Sequence, residues 1–178
     1  MASTSALARA VPLTAAAAAA CWAVFGPSPS CIIGIAFAGT LVAVSLIDLE
    51  TSTIPPALVA AIAALAVLAA IAGVPEGVAL VDRPLGLVAA SAPMLVCSLA
   101  MDGMGGGDIK LMAAAGLLLG WKLVLLAFAI GAAIGALQGI FLIAFRDAGK
   151  RTAFPFGPAL SAGCFLAYLA GSPCVGIA

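Results

Sequence analysis

Two aspartates carry most of the chemistry that this sequence can offer. Asp48 ends one apolar run, and Asp108 begins another directly after three glycines at 105–107. An ionisable residue at the edge of a membrane span is a candidate functional residue. Two neighbouring carboxyls share a proton, so one can activate a water as general base while the other protonates a carbonyl oxygen. The pair therefore predicts hydrolysis of the aspartic-protease type.

Residue types argue against the other common hydrolytic sites. The chain has no histidine, which excludes a Ser-His or Cys-His pair and a histidine zinc site. The five cysteines show no Cys-x-x-Cys spacing, and we interpret them as small apolar residues in helix packing. Neither a metal nor a cofactor is predicted. A net charge of zero without a basic tract argues against a nucleic-acid partner.

The composition is that of a protein embedded in a lipid bilayer. Apolar residues make up 65% of the chain and charged residues 8%, against about 45–50% and about 25% in soluble domains. Mean hydropathy is +1.31. The apolar runs are too long and too continuous for barrel strands. The sequence predicts an all-α integral membrane protein, a polytopic bundle of about seven transmembrane helices.

Turn residues divide the chain into seven predicted spans. These cover residues 6–25, 31–48, 55–73, 85–101, 108–120, 123–145 and 159–173. We interpret the first as a retained span rather than a cleaved signal peptide. The domain prediction is a first span and loop at 1–29, followed by one membrane domain at 30–178.

The positive charges predict the orientation of these spans. Cytoplasmic loops carry an excess of Lys and Arg, and an N-terminus inside the cell gives five such residues there and two outside. The inside set is Arg9, Lys110, Arg146, Lys150 and Arg151, and the outside set is Arg83 and Lys122. The predicted location is the inner (cytoplasmic) membrane. Asp48 and Asp108 then reach the same cytoplasmic face.

The glycines before Asp108 permit more than one interpretation. Glycine lets another backbone approach closely, so an extended peptide could bind along this loop. Alternatively, the segment is a plain turn with Asp108 capping the next helix. A phosphate loop is disfavoured because the Gly-Lys-Ser/Thr ending is missing.

Other acidic residues compete with the two aspartates. Glu50 and Asp102 fall in the same predicted cytoplasmic region, so spacing alone leaves them as alternatives for the pair. Glu76, Asp82 and Asp147 lie in predicted loops, where we expect them to be solvated. Glycines spaced by four, at 116 and 120 and at 131, 135 and 139, predict close helix packing.

Three blocks of sequence resemble the type IV prepilin peptidases, membrane aspartyl proteases of the Gly-x-Gly-Asp type. The first is 47–55, with Asp48 followed by Ile-Pro; the second is Gly-Gly-Gly-Asp-Ile-Lys-Leu at 105–111; the third is Pro-Phe-Gly-Pro at 155–158. The resemblance covers about residues 30–172. Pro56 departs from the Asn or Asp usual after Ile-Pro.

The resemblance implies roles for single residues. Asp48 and Asp108 would be the catalytic aspartates, and Gly105 and Gly107 the glycines of the motif. Lys110 would position an acidic group of the substrate or extend to the membrane interface. The expected substrate is a type IV prepilin or pseudopilin, cleaved at the cytoplasmic face. The zinc motifs of the larger members are missing, so we expect no methyltransferase activity. Oligomeric state is not predicted.

Two alternatives stay open at this point. An archaellin-type precursor could replace the prepilin as substrate. A non-enzymatic transporter or scaffold could use the paired carboxylates to bind a cation, although it would leave the Gly-rich loop and the Pro-Phe-Gly-Pro block unexplained.

Overall fold

The computed structural model describes residues 4–100, 105–146 and 155–171, and the regular structure in these ranges is helical. The helices are α1 (Thr4–Phe25), α2 (Pro29–Thr51), α3 (Pro56–Ile71), α4 (Asp82–Ala100), α5 (Gly106–Arg146) and α6 (Gly157–Ala170). Two of them are long and apolar enough to cross a membrane by length and composition, α2 and residues 106–141 of α5. Asp102, the charged segment 147–151 and Cys174 lie outside the described residues.

Six helices stand where seven spans are predicted, because the fifth and sixth predicted spans both belong to α5. This helix is interrupted at Gly120, whose φ of 77° and ψ of 172° are not helical. In a straight helix, Asp108 and Gly135 would lie about 40 Å apart at about 1.5 Å per residue. Instead, both lie near the start of α6. Asp108 lies beside Asp48, which is hydrogen-bonded to Gly157, and Gly135 packs against the Phe156 ring. The chain therefore reverses at Gly120, and residues 106–119 and 121–146 run antiparallel.

Two adjacent side chains at the start of α4 hold this reversal from both sides. The Arg83 guanidinium donates to the carbonyls of Leu117 and Leu118, at 3.3 and 3.4 Å, just before the turn. The Asp82 carboxylate accepts from the Trp121 indole N–H at 3.2 Å, just after it. The prediction that Asp82 is a solvated loop residue is therefore wrong. Asp82 begins a helix and binds the residue that follows the reversal.

Arg83 also differs from the loop charge that the sequence suggested. It is 5% exposed, and it donates to the Val74 carbonyl at 2.7 Å. A helix ends with carbonyls that have no intrahelical partner and with a partial negative charge. The buried Arg83 guanidinium donates hydrogen bonds to such carbonyls at the end of residues 106–119 and places a positive charge there.

Glycines bring three of the helices into close contact. A Cβ on Gly116 would lie 2.1 Å from the Gly86 carbonyl oxygen, and one on Gly163 would lie 2.3 Å from that of Ala127. The first pair joins α4 to α5, and the second joins α5 to α6. The predicted role of small residues in packing is confirmed for Gly116, Gly131 and Gly135, whereas nothing lies within 4 Å of a Cβ on Gly139.

At the opposite end of the bundle from Asp48, Tyr168 ties α6 to α1 and α2. Its hydroxyl donates to the Ser30 carbonyl at 2.6 Å, and its ring packs against Phe25 and Phe37. Cys21 is buried beside the same ring, where it confirms the packing role predicted for the cysteines; Cys97 is exposed.

The close crossing of α4 and α5 predicts the effect of added methyl groups. Gly116→Ala should reduce the free energy of unfolding by about 1–3 kcal/mol, because the new Cβ must push two backbones apart. Gly139→Ala, in the same helix, should be neutral or slightly stabilising. Thermal unfolding of the detergent-solubilised protein measures both. Equal midpoints for the two variants would contradict the described crossing.

Candidate active site

Asp48 occupies an unfavourable position in its own helix. It lies in the last turn of α2, which ends at Thr51 with Ser52 in the left-handed conformation. The partial negative charge of a helix C-terminus disfavours a carboxylate there. Asp48 is also only 4% exposed. A buried carboxylate in this place needs a donor from another part of the chain.

The start of α6 supplies that donor. The backbone N–H of Gly157 donates to Asp48 Oδ2 at 2.9 Å, in a buried hydrogen bond. Gly157 is the first residue of α6, where the helix carries its partial positive charge. A Cβ on Gly157 would lie 2.6 Å from the same oxygen. Only glycine therefore lets the two helix ends meet at this distance.

Asp108 reaches the same place from α5. It lies in the first turn of that helix, is 9% exposed, and its backbone N–H donates to the Gly105 carbonyl at 3.0 Å. Asp48 acts electrostatically on its carboxyl group. The structure thus brings together the two aspartates that the sequence paired by topology alone.

The three glycines before Asp108 have different surroundings. A Cβ on Gly107 would lie 3.0 Å from the Cβ of Ile54, in the segment that follows Asp48. One on Gly105 would lie 3.2 Å from Asp108 Oδ2, and one on Gly106 would meet nothing within 4 Å. The first and third glycines of the motif are therefore constrained by the two aspartate segments. The middle position is open.

The remaining predicted residues lie at the periphery or outside the described ranges. Lys110 is exposed and, among the described residues, forms no hydrogen bond or ion pair. Glu50 is exposed two residues beyond Asp48, and Asp102 is not described. Pro56 is the first residue of α3, a position where proline is compatible with a helix.

Gly157 contacts Asp48 directly, and sequence reasoning did not identify it as part of the candidate site. The Pro-Phe-Gly-Pro block was identified, but no role was assigned to its members. Its neighbour Phe156 packs on Gly135, where a Cβ would lie 2.2 Å from the ring. The sequence feature that could have identified it is a glycine between an aromatic residue and a proline, Phe156-Gly157-Pro158. It indicates a helix N-terminus held close to another group.

The two carboxyls lie apart from the groove at the other end of the molecule. That groove has a volume of about 400 Å³ and is lined by the second half of α3, Leu80, Arg83 and Leu117. Within the described residues, no three His, Cys, Asp or Glu side chains gather as metal ligands would. What the site holds is a pair of buried acids with one backbone donor. Such a pair can hold a water and move protons to and from a carbonyl group.

Comparison with known proteins gives matches to leader peptidases. The family model described as the type IV leader peptidase family matches residues 35–140. A prepilin leader peptidase/N-methyltransferase of Pseudomonas putida is 32% identical over 155 residues, covering 83% of this chain and 52% of the relative. One from Burkholderia pseudomallei (strain K96243) is 31% identical over 168 residues, covering 89% and 52%. One from Bacillus subtilis (strain 168) is 42% identical over 90 residues, covering 48% and 36%.

The matched region includes both aspartates and the glycines before Asp108. The chain spans about half the length of the Pseudomonas putida and Burkholderia pseudomallei relatives. No solved structure gives a significant match. On the family model and on relatives that cover more than four fifths of its residues, this chain belongs to the type IV leader peptidase family.

Proposed function

We propose that this protein is an aspartic endopeptidase that removes the leader from a type IV prepilin or pseudopilin. The observation that carries the proposal is the convergence of Asp48, Asp108 and Gly157, one from each of three distant sequence blocks. Two buried carboxyls, close enough for the charge of Asp48 to act on Asp108, are the groups needed to activate a water for attack on a peptide bond.

The proposed mechanism needs no group beyond the two acids and a water. One carboxyl removes a proton from the water, whose oxygen attacks the peptide carbonyl, and the other protonates the carbonyl oxygen. The loop that carries Gly105 and Gly107 lies against the two aspartate segments, and the substrate backbone is proposed to extend beside it. Lys110, exposed two residues after Asp108, is proposed to hold an acidic group of the substrate or to extend to the lipid interface.

The substrate class rests on the relatives, whose printed name is prepilin leader peptidase/N-methyltransferase. Of the two activities in that name, leader peptidase activity is proposed for this chain because it is the one that the pair of acids supports. The expectation that methylation does not accompany cleavage stays a prediction. We further propose that residues 30–178 form the peptidase domain and that seven segments cross the inner membrane, with the reversal of α5 supplying two of them.

Substitution of single acids tests the pair. Asp48→Asn and Asp108→Asn should each lower leader cleavage at least a thousandfold, since either change removes a proton-transfer group. Glu50→Gln, which changes an exposed neighbour of Asp48, should cleave at the rate of the parent. The measurement is the gel shift of a prepilin coexpressed in membranes.

Two results would contradict the assignment. Retained cleavage in either asparagine variant would return the role to Glu50 or Asp102. Failure of the parent to cleave any type IV prepilin or pseudopilin would refute the proposed substrate class. An archaellin-type precursor would be assayed next, and cation transport, the role of a carboxylate-bearing transporter, after that.

The glycines of the loop give a matched pair of variants. Gly107→Val should reduce cleavage roughly tenfold or more, because its side chain collides with Ile54 and separates the two aspartate segments. Gly106→Val should retain cleavage, since no protein atom lies within 4 Å of a Cβ at this position. Loss in Gly106→Val alone would instead place the substrate directly against residue 106. Equal activity in both variants would show that Ile54 does not constrain the loop.

The orientation is tested by cysteine labelling in a cysteine-free background. Glu76→Cys, in the α3–α4 loop, should react with a membrane-impermeant thiol reagent added to intact bacterial cells. Thr53→Cys, exposed near Asp48, should react only after the membrane is permeabilised. The reverse pattern would place the two aspartates on the outer face and would exclude cleavage in the cytoplasm.

A further inference from the structure

The two acids of the site differ in their hydrogen bonding, and we propose that this difference fixes their roles. The Gly157 N–H is inferred to be a positioning group that keeps negative charge on Asp48. Asp48 is then the general base, and Asp108 is the general acid that starts with the proton. The inference rests on the proposed peptidase function and deepens it by assigning one task to each carboxyl.

The direct hydrogen bond favours charge on Asp48. A backbone N–H that points at a carboxyl oxygen stabilises the charged form more than the neutral form. Gly157 supplies such a donor at 2.9 Å in a buried place. It is also the first residue of α6, so the helix dipole acts in the same direction.

Asp108 has weaker support for a negative charge. It lies in the first turn of α5, so a helix dipole acts on it as well. Among the described residues, however, no N–H donates to its side chain. The charged group that acts on it is the Asp48 carboxyl. When two acids share one proton, the proton rests on the group whose charge has fewer donors. Here that group is Asp108.

The proton path closes under this assignment. Asp48 takes a proton from water, the water oxygen bonds to the peptide carbon, and Asp108 gives its proton to the carbonyl oxygen. In the second step, Asp48 gives its proton to the amide nitrogen while Asp108 takes one from a hydroxyl of the tetrahedral diol. The carbon–nitrogen bond then breaks, and both acids return to their starting states.

Gly157→Ala is a poor test because the added Cβ would displace Asp48 as well. A backbone ester at position 157, made by incorporating glycolic acid for glycine, removes the N–H without adding a side chain, although it also weakens the Phe156 carbonyl, which accepts from the Leu160 N–H. The matched control is an ester at Ala159, the next residue in that turn with an N–H, since Pro158 has none. Both are compared with the parent on a prepilin-derived peptide that carries a fluorophore and quencher across the scissile bond.

The ester at 157 should lower kcat about 10- to 100-fold and leave KM unchanged, as expected for loss of a hydrogen bond to a charged group. The ester at 159 should cleave like the parent, with the same thermal midpoint. Unchanged or increased kcat at 157 would overturn the inference, because a neutral Asp48 needs no such donor. Equal losses of activity and stability in both esters would overturn it too, since the bond would then be merely structural.

The parent protein separates this inference from the proposed function. If the parent does not cleave the prepilin peptide, the proposed function fails and takes the inference with it. If the parent cleaves, the asparagine variants do not, and the 157 ester cleaves normally, only the assignment of roles fails.

Discussion

A carboxylate buried in the last turn of a helix is the constraint on which this structure depends. Asp48 meets the negative end of α2 and has almost no contact with solvent. Its position becomes favourable only because the start of α6 brings an N–H and a positive helix end to it. The burial of Asp48 thus depends on Gly157, which lies 109 positions later in the chain.

The second acid depends on a reversal at the other end of its helix. Asp108 is carried by residues 106–119, whose last carbonyls are bound by Arg83 and whose continuation is bound through Asp82 and Trp121. Without the positive φ of Gly120, the chain would not reverse, and residues 121–146 would not pack against α6. The site therefore combines Asp108, at the N-terminus of α5, with Asp48, at the C-terminus of α2, which is hydrogen-bonded to the N-terminus of α6. Asp48 and Gly157 are far apart in the sequence, and so are Asp82 and Arg83 from the residues that they bind at the reversal.

The sequence predicted the helical class, the boundaries of most segments and the two acids, because each has a local signal. Long apolar runs indicate membrane helices, and a rare charge at the end of such a run indicates function. It did not predict the Gly157 hydrogen bond, since a backbone N–H has no side-chain signature. The roles of Asp82 and Arg83 were missed for a related reason: both act on partners more than 30 residues away, and a charge next to a loop is ordinarily solvated.

The lengths of the helices around the site set its depth in the bilayer. Helix α3 has 16 residues and α6 has 14, which gives about 24 and 21 Å at about 1.5 Å per residue. The hydrocarbon core of a bilayer is about 30 Å thick. Under the proposed topology, in which α3 and α6 both cross the membrane, lipids would thin around these helices, or headgroups and water would follow the helix ends inward. Either response would let a polar peptide meet the two acids without crossing hydrocarbon, and it would make the proposed activity sensitive to membrane thickness.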